Sequence, residues 1–316
     1  MTVSSAAGNH FCRVLPLRSP FTGWEESFDE TLARLAFFLL LITGIAMLLL
    51  ALAMVAREAY PTLFAPGGLW GLLIADAWEP LSQPARLGVR HAWLSTLAAT
   101  SVALAFAVPV GFGIGIFIAE IAPSIVKKML QPCLELLAGI PSVVYGFFGY
   151  VTLVPWFESR FEMATGESLF AAGLILAVMI LPFVASTSAE ALGAVPGDIK
   201  EAALSLGVNR CSMTFRVLVR HAAPGMFAAV ALGLARALGE TLAVLMLAGN
   251  SVAVPSSLLD RGQPITALII TELGEAGIGS PKQQALFAAA LVLMVVIVVV
   301  NGVIAWLKRR MLHGRA

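Results

Sequence analysis

Charge is what this chain has least of. Asp, Glu, Lys and Arg supply 12% of its 316 residues, whereas soluble domains carry roughly a quarter, so a water-soluble globular protein is excluded. The 20 Lys and Arg are matched by 19 Asp and Glu, which leaves no bulk positive field to attract nucleic acid. Cysteine is nearly absent. Cys12, Cys133 and Cys211 lie far apart, and with four scattered histidines they offer neither a disulfide framework nor a metal ligand set. No Gly-x-x-x-x-Gly-Lys-Ser/Thr stretch occurs, so the loop that cradles nucleotide phosphates in ATPases is missing. No Ser/His, His-Glu-x-x-His or paired-Asp constellation marks a catalytic centre.

What fills the chain is apolar: 59% of residues, with a mean hydropathy of +0.90. A helix needs about 20 such residues to cross the hydrocarbon of a bilayer. Six windows between charged punctuation qualify: Leu35 to Ala56, Arg90 to Glu120, Leu136 to Phe157, Glu167 to Glu190, His221 to Leu247, and Lys282 to Lys308. They predict an all-α integral membrane protein with six transmembrane helices. The small residues Ala51, Ala53 and Ala56 resemble a signal-peptide cleavage site, but the first apolar run is longer than a signal core of about 7 to 15 residues. A retained helix is expected. No internal repeat is visible, which weighs against a transporter built from paired halves.

Lys and Arg set the direction, because they concentrate on the cytoplasmic side. With the N-terminus inside, twelve fall there, among them Arg13, Arg18, Lys127, Lys128, Lys200 and Arg315, against six outside: Arg57, Arg86, Arg90, Arg160, Arg261 and Lys282. Both termini are then cytoplasmic, and Trp93, Trp156 and Trp306 fall near span ends, where the headgroup layer suits them. The divisions are a cytoplasmic segment 1–31, a first helix 32–56, an extracytoplasmic loop 57–90, a core 91–307 with five further helices and a cytoplasmic loop 190–220, and a tail 308–316. The outer loops 57–90 and 249–284 are long and rich in Pro and Gly, including Pro66. Each is read as a plain connection, a docking segment or a cap.

Two places carry more specific chemistry. Between the fourth and fifth windows, Val195 to Gly207 reads as a short helix, with Asp198 as N-cap, Glu201 three residues on as a capping box, and Gly207 as the left-handed terminator. Asn209 is placed to cap a second segment, Arg210 to Arg220, before a break near Pro224. An ordered elbow of this kind can carry force into the spans. The other place is Arg236 and Glu240 in the middle of the fifth window, where charge is costly. Their i, i+4 spacing puts both on one helix face. They are either a neutralising ion pair or a polar lining, in which Arg236 meets an anion with its planar fork of donors and Glu240 keeps the empty site near neutral. Thr241, Asn250, Ser186, Thr187, Ser188 and Ser251 are further lining candidates, although such groups commonly bond their own backbone. Gly111, Gly113 and Gly115 read as close helix packing, and Pro109, Pro141 and Pro182 as kinks.

Glu201-Ala202-Ala203, three residues and Gly207 resemble the EAA loop of bacterial ATP-binding-cassette importer permeases, which docks on the ATPase subunit. The family pattern continues at Val217 and Val219, with Arg220 where the family has proline. Leu137-Ala-Gly-Ile-Pro-Ser-Val-Val-Tyr-Gly146, Leu232 to Val244 and Gly249-Asn250 are similar to motifs of the phosphate permeases of the PstC type, as are Trp78-Glu79-Pro80 and Thr266 to Glu275. The resemblance covers most of residues 78–307. It implies the type I ABC importer permease fold (MetI-like) in a bacterial inner membrane. It also implies a second homologous permease of the PstA type, an ATPase dimer docked through Asp198 to Gly207, and an extracytoplasmic phosphate-binding protein. No cofactor is expected in this chain, with ATP and Mg on the ATPase, and Arg236 and Glu240 are expected in the translocation pathway. The rival expectations are a permease for molybdate or sulfate, and an ion-coupled transporter with Glu240 as its proton site.

Overall fold

The computed structural model describes residues 22–65 and 67–313; Cys12, Arg13, Arg18, Pro66 and Arg315 lie outside them. The chain divides into two units, residues 1–54 and 55–316. The described part of the first belongs to helix α1 (Thr22–Leu63), and from Leu32 to Met54 its side chains are exposed on every face. A helix apolar all round is suited to lipid.

In the second unit, α2 (Gly68–Ile74) is followed by a small antiparallel hairpin, β1 (Trp78–Glu79) and β2 (Arg86–Leu87), with Trp78 opposite Leu87. Helix α3 (Arg90–Ile116) ends in a π-turn, Phe117–Ile121. Then come α4 (Ser124–Gly139), α5 (Ser142–Phe161), α6 (Leu169–Gly193) and the elbow helix α7 (Gly197–Ser205). A single turn, α8 (Arg210–Ser212), runs through a second π-turn, Met213–Leu218, into α9 (Val219–Gly239). The chain continues with α10 (Leu242–Leu247), α11 (Ile265–Leu273) and α12 (Pro281–His313). Five of the described stretches are long and apolar enough to cross a membrane, and the pair α4 and α5, taken as one bent segment, makes six.

That bend corrects the third window. Pro141 does not kink one span; it separates two helices at 89°. Proline lacks an N–H and disfavours helical geometry in the residue before it, and Ile140 is extended, with ψ 130°. Leu136 to Gly139 therefore belong to amphipathic α4. The 20 residues of α5 still rise about 30 Å, enough to cross the hydrocarbon. Pro109 and Pro182 sit inside helices that continue past them, and so does Pro224, where a break was expected.

The core is the pairing of α3 with α6, to which α9 adds. Lipid gives no hydrophobic drive for helices to associate, so close packing of small residues takes its place. A Cβ on Gly111 would lie 2.8 Å from Val184, on Gly115 2.7 Å from Ser188, and on Gly173 2.6 Å from Val102. Gly113 faces open space, so the glycine run serves packing at two of its three positions.

The start of α6 is sealed by the loop after α10. The backbone N–H of Leu169 donates to Asp260 O at 3.1 Å, that of Phe170 to Leu258 O at 2.8 Å, and that of Ala171 to Ser168 Oγ at 3.1 Å. These are donors that a helix N-terminus otherwise leaves unpaired. The loop is itself pinned: the Asp260 carboxylate accepts from the backbone N–H groups of Ser256 and Ser257 and from the Ser256 hydroxyl. Those bonds hold the carboxyl below the usual carboxylate range. This part of the second long loop thus caps the N-terminus of α6.

Gly173→Val is expected to lower the apparent melting temperature of the detergent-solubilised protein, since overpacking of this kind costs about 1–3 kcal/mol. Gly113→Ala, with space to spare, is expected to hold or raise it by removing helical glycine, worth roughly 0.5–1 kcal/mol.

Candidate functional site

The elbow starts one residue before its predicted cap. Proline fixes φ, and Pro196 with ψ 139° occupies the N-cap position. Gly197 opens α7 and Asp198 falls in the first turn, with no side-chain cap bond at this terminus. The expected capping box between Asp198 and Glu201 is therefore not formed, although an acidic residue in a first turn still suits the helix dipole. The other end is as specific as a helix end can be. Gly207 has φ 77°, its N–H donates to Leu204 O at 2.9 Å, and the Val208 N–H donates to Ala203 O at 3.3 Å, the paired bonds of a Schellman motif. Asn209 Oδ1 then accepts from Ser212 N at 2.7 Å and starts α8.

One face of α7 is anchored. Ala203 is buried in a cluster with Ile116, Leu192, Met213, Leu218 and Met226, which joins the ends of α3, α6 and α9. Lys200 Nζ lies 2.6 Å from Glu120 Oε1 in the first π-turn. The opposite face is bare: Glu201, Ala202 and Leu204 are exposed, and Leu206 is 83% exposed.

The second site is a broken helix. α9 ends at Gly239, Glu240 is extended (φ −72°, ψ 135°), and α10 begins at Leu242. Arg236 and Glu240 therefore do not share a helix face, contrary to the sequence reading. Gly239, a poor helix former, precedes the break, and the Thr266 hydroxyl from α11 donates to Glu240 O at 2.8 Å. Among the described residues Arg236 forms no ion pair with Glu240 or any other carboxylate. Its guanidinium carbon sits 4.5 Å from the centre of the Phe183 ring, its Nε is buried without a hydrogen-bond partner, and Tyr145 is within its electrostatic reach.

Thr241 lines a cavity of about 520 Å³ with Thr266 and Ile269. Asn250, left-handed at φ 49°, gives its amide to Leu245 O at 2.8 Å and so closes the end of α10. Ser188 is fully buried with its hydroxyl unpartnered. Phe183 and Ser186 also line a separate cavity of about 420 Å³ with Lys127, Glu135 and Glu190. Across the Pro141 bend the Tyr145 hydroxyl donates to Leu137 O at 2.8 Å. Among the described residues no group of three or more His, Cys, Asp or Glu side chains is arranged to hold a metal.

Sequence reasoning missed Phe183, Tyr145, Thr266 and the partners Glu120 and Lys200. An aromatic in an apolar window looks like any core residue, and no local period links positions that are 80 residues apart.

Residues 111–313 match the family described as binding-protein-dependent transport system inner membrane component. The chain belongs to that family. As a member it is a multi-pass membrane subunit of a transport system, and ATP hydrolysis is the work of a separate subunit. Its relatives include the "Probable ABC transporter permease protein YqgH" of Bacillus subtilis, 41% identical over 69% of this chain and 71% of that protein. The phosphate transport system permease protein PstC of Haemophilus influenzae is 34% identical over 86% of this chain and 90% of its own length. Among solved structures, a chain of a bacterial ABC transporter that imports the acidic polysaccharide alginate superposes with a TM-score of 0.57, at 18% identity, over 90% of this chain and 99% of that one. A chain of the MetNI methionine ABC transporter gives a TM-score of 0.55, at 19% identity, over 71% and 95%. The permease has the MetI-like fold of type I ABC importers, as the sequence predicts.

In this permease Gly207→Ala is expected to destabilise the elbow, because a side chain in the left-handed region costs about 1–2 kcal/mol. Asn209→Ala removes a cap worth about 1 kcal/mol. Both should show as faster proteolytic nicking around residue 207, whereas Gly197→Ala, with nothing within 4 Å of its added Cβ, should not.

Proposed function

We propose that this chain is a permease subunit of an ATP-driven importer of inorganic phosphate, forming half of the translocation pathway in a bacterial inner membrane with both termini cytoplasmic. Support for the substrate comes from the relatives named PstC, of which the Haemophilus protein aligns over 90% of its length. In this reading a second homologous permease of the PstA type supplies the other half. An ATPase dimer, carrying the ATP and Mg, docks on α7, and an extracytoplasmic binding protein delivers phosphate.

The observation that carries the reading is Arg236. A guanidinium inside a membrane segment is expensive unless something answers its charge, and among the described residues it meets the face of the Phe183 ring and no carboxylate. A neutralising pair with Glu240, the plain alternative, is not formed. A passing phosphate would supply the missing acceptor oxygens, matched to the planar fork. Resting on Phe183 rather than on a carboxylate, Arg236 can meet the anion without first breaking an ion pair. Glu240, Thr241 and Asn250, on the interrupted stretch that follows, line the same pathway, and Glu240 tempers the positive potential so that the anion is released. The bare face of α7, with Asp198, Glu201, Ala202 and Leu206, meets the ATPase up to the turn at Gly207, while Ala203 of the same motif holds the elbow to the membrane unit from behind. Nucleotide-driven closure then biases the spans between two states that bind the ATPase differently.

Arg236→Ala in an otherwise assembled complex is expected to cut phosphate uptake into vesicles at least tenfold, since a hydrogen bond to a charged group contributes about 1.5–3 kcal/mol. Normal uptake with normal assembly would remove the role. The same assay with labelled molybdate and sulfate decides the substrate class, and uptake that survives ATP depletion but collapses with the proton gradient would favour an ion-coupled transporter. Leu206→Glu is expected to release the ATPase during gentle purification.

A further inference from the structure

We propose that the ion pair between Lys200 and Glu120 is the tie through which α7 moves the second membrane segment, and that both are positioning residues for coupling. This rests on the reading that α7 docks an ATPase. The covalent chain links α7 directly to α6 and, through α8, to α9. Helix α3 has no such link, yet it is the main packing partner of α6, so the two must move in concert whenever the elbow moves.

Lys200 supplies the connection. Its ammonium lies 2.6 Å from Glu120, whose side chain is 8% exposed against 28% for Lys200. Solvent screening, which makes exposed pairs weak, is therefore largely absent on the acidic side. Neighbouring residues on a helix point about 100° apart, so Lys200 can grip the membrane unit while Glu201 stays on the bare face.

The grip lands on an element suited to transmit motion. Glu120 belongs to the π-turn Phe117–Ile121, closed by a bond from Ala122 N–H to Phe117 O at 2.8 Å. Such turns hold one residue more than an α-turn and recur at functional sites. The carbonyl of the adjacent Ala119 accepts from Lys127 Nζ at 2.8 Å, which ties the same turn to α4, and α4 leads through the Pro141 bend into α5. A pull on Lys200 thus reaches α3 directly and α5 through α4. The far side of the elbow enters α9 through another π-turn, Met213–Leu218, so a π-turn lies at both junctions.

The test uses the whole complex, with both permeases, the ATPase and the binding protein, reconstituted in vesicles. The quantity measured is phosphate imported per ATP hydrolysed. In Lys200→Met and Glu120→Gln the complex is expected to assemble and hydrolyse ATP. The transport-to-hydrolysis ratio falls about tenfold, inside the roughly 5- to 150-fold range of coupling between sites. The exchange Glu120→Lys with Lys200→Glu restores most of the ratio, and Lys200→Arg keeps it. An unchanged ratio in the single variants overturns the proposal, as does a loss that the exchange fails to recover. If a single variant does not assemble, the exchange variant carries the test, since it must both assemble and couple. Leu206→Glu is run in parallel: a complex that keeps its ATPase and its ratio with that change refutes docking through α7 whatever Lys200 does.

Discussion

Inside hydrocarbon there is no water to satisfy a backbone N–H or carbonyl, so every interruption of a helix must be repaired by the protein itself. That constraint organises this fold. Where the helix stops at Glu240, the Thr266 hydroxyl takes up its carbonyl. Where it turns at Pro141, the Tyr145 hydroxyl takes up that of Leu137. Where α6 begins, Ser168 and the backbone of the loop after α10 receive its first donors. Apart from Ser168, the repairs come from distant or following elements, so they fix tertiary structure as they mend local structure.

The interruptions also fall where the chemistry is. A continuous fifth helix would have set Arg236 and Glu240 side by side and let them neutralise each other. The break after Gly239 separates them, leaving a guanidinium against Phe183 and a carboxylate on a different stretch of chain. The charges are scarce enough that each placement matters: Arg236 lies well inside the fifth apolar window, and one salt bridge ties the elbow to the end of α3.

Much of the architecture was legible in the sequence because lipid imposes a simple rule, that a long apolar window is a helix. The end of the elbow was legible as well, since Gly207 and Asn209 act through bonds to their immediate neighbours. The start of the elbow lies two residues earlier than the sequence reading has it, because Pro196 and not Asp198 takes the cap position. Two windows were read as continuous helices and were not. Apolarity reports that a segment is buried in lipid but is silent on whether its backbone stays helical, and Pro109, Pro141 and Pro182 look alike in sequence while only Pro141 divides two helices. The Phe183 platform and the Lys200 grip depend on elements that meet only after folding.

The candidate spans are not equally shut away. Two thirds of the apolar window of α6 is buried inside the protein, 67% against 11% for α12. For most of α12 beyond Leu293 the demand is an apolar surface, which Leu, Ile, Val and Met meet alike. Almost every side of α6 instead answers to a specific neighbour: Val184 to Gly111, Ser188 to Gly115, Gly173 to Val102. Over evolutionary time α6 can change only in step with the helices around it, whereas α12 is tied in this way chiefly through its first turns, where Ala285, Leu286, Ala288 and Ala289 are buried.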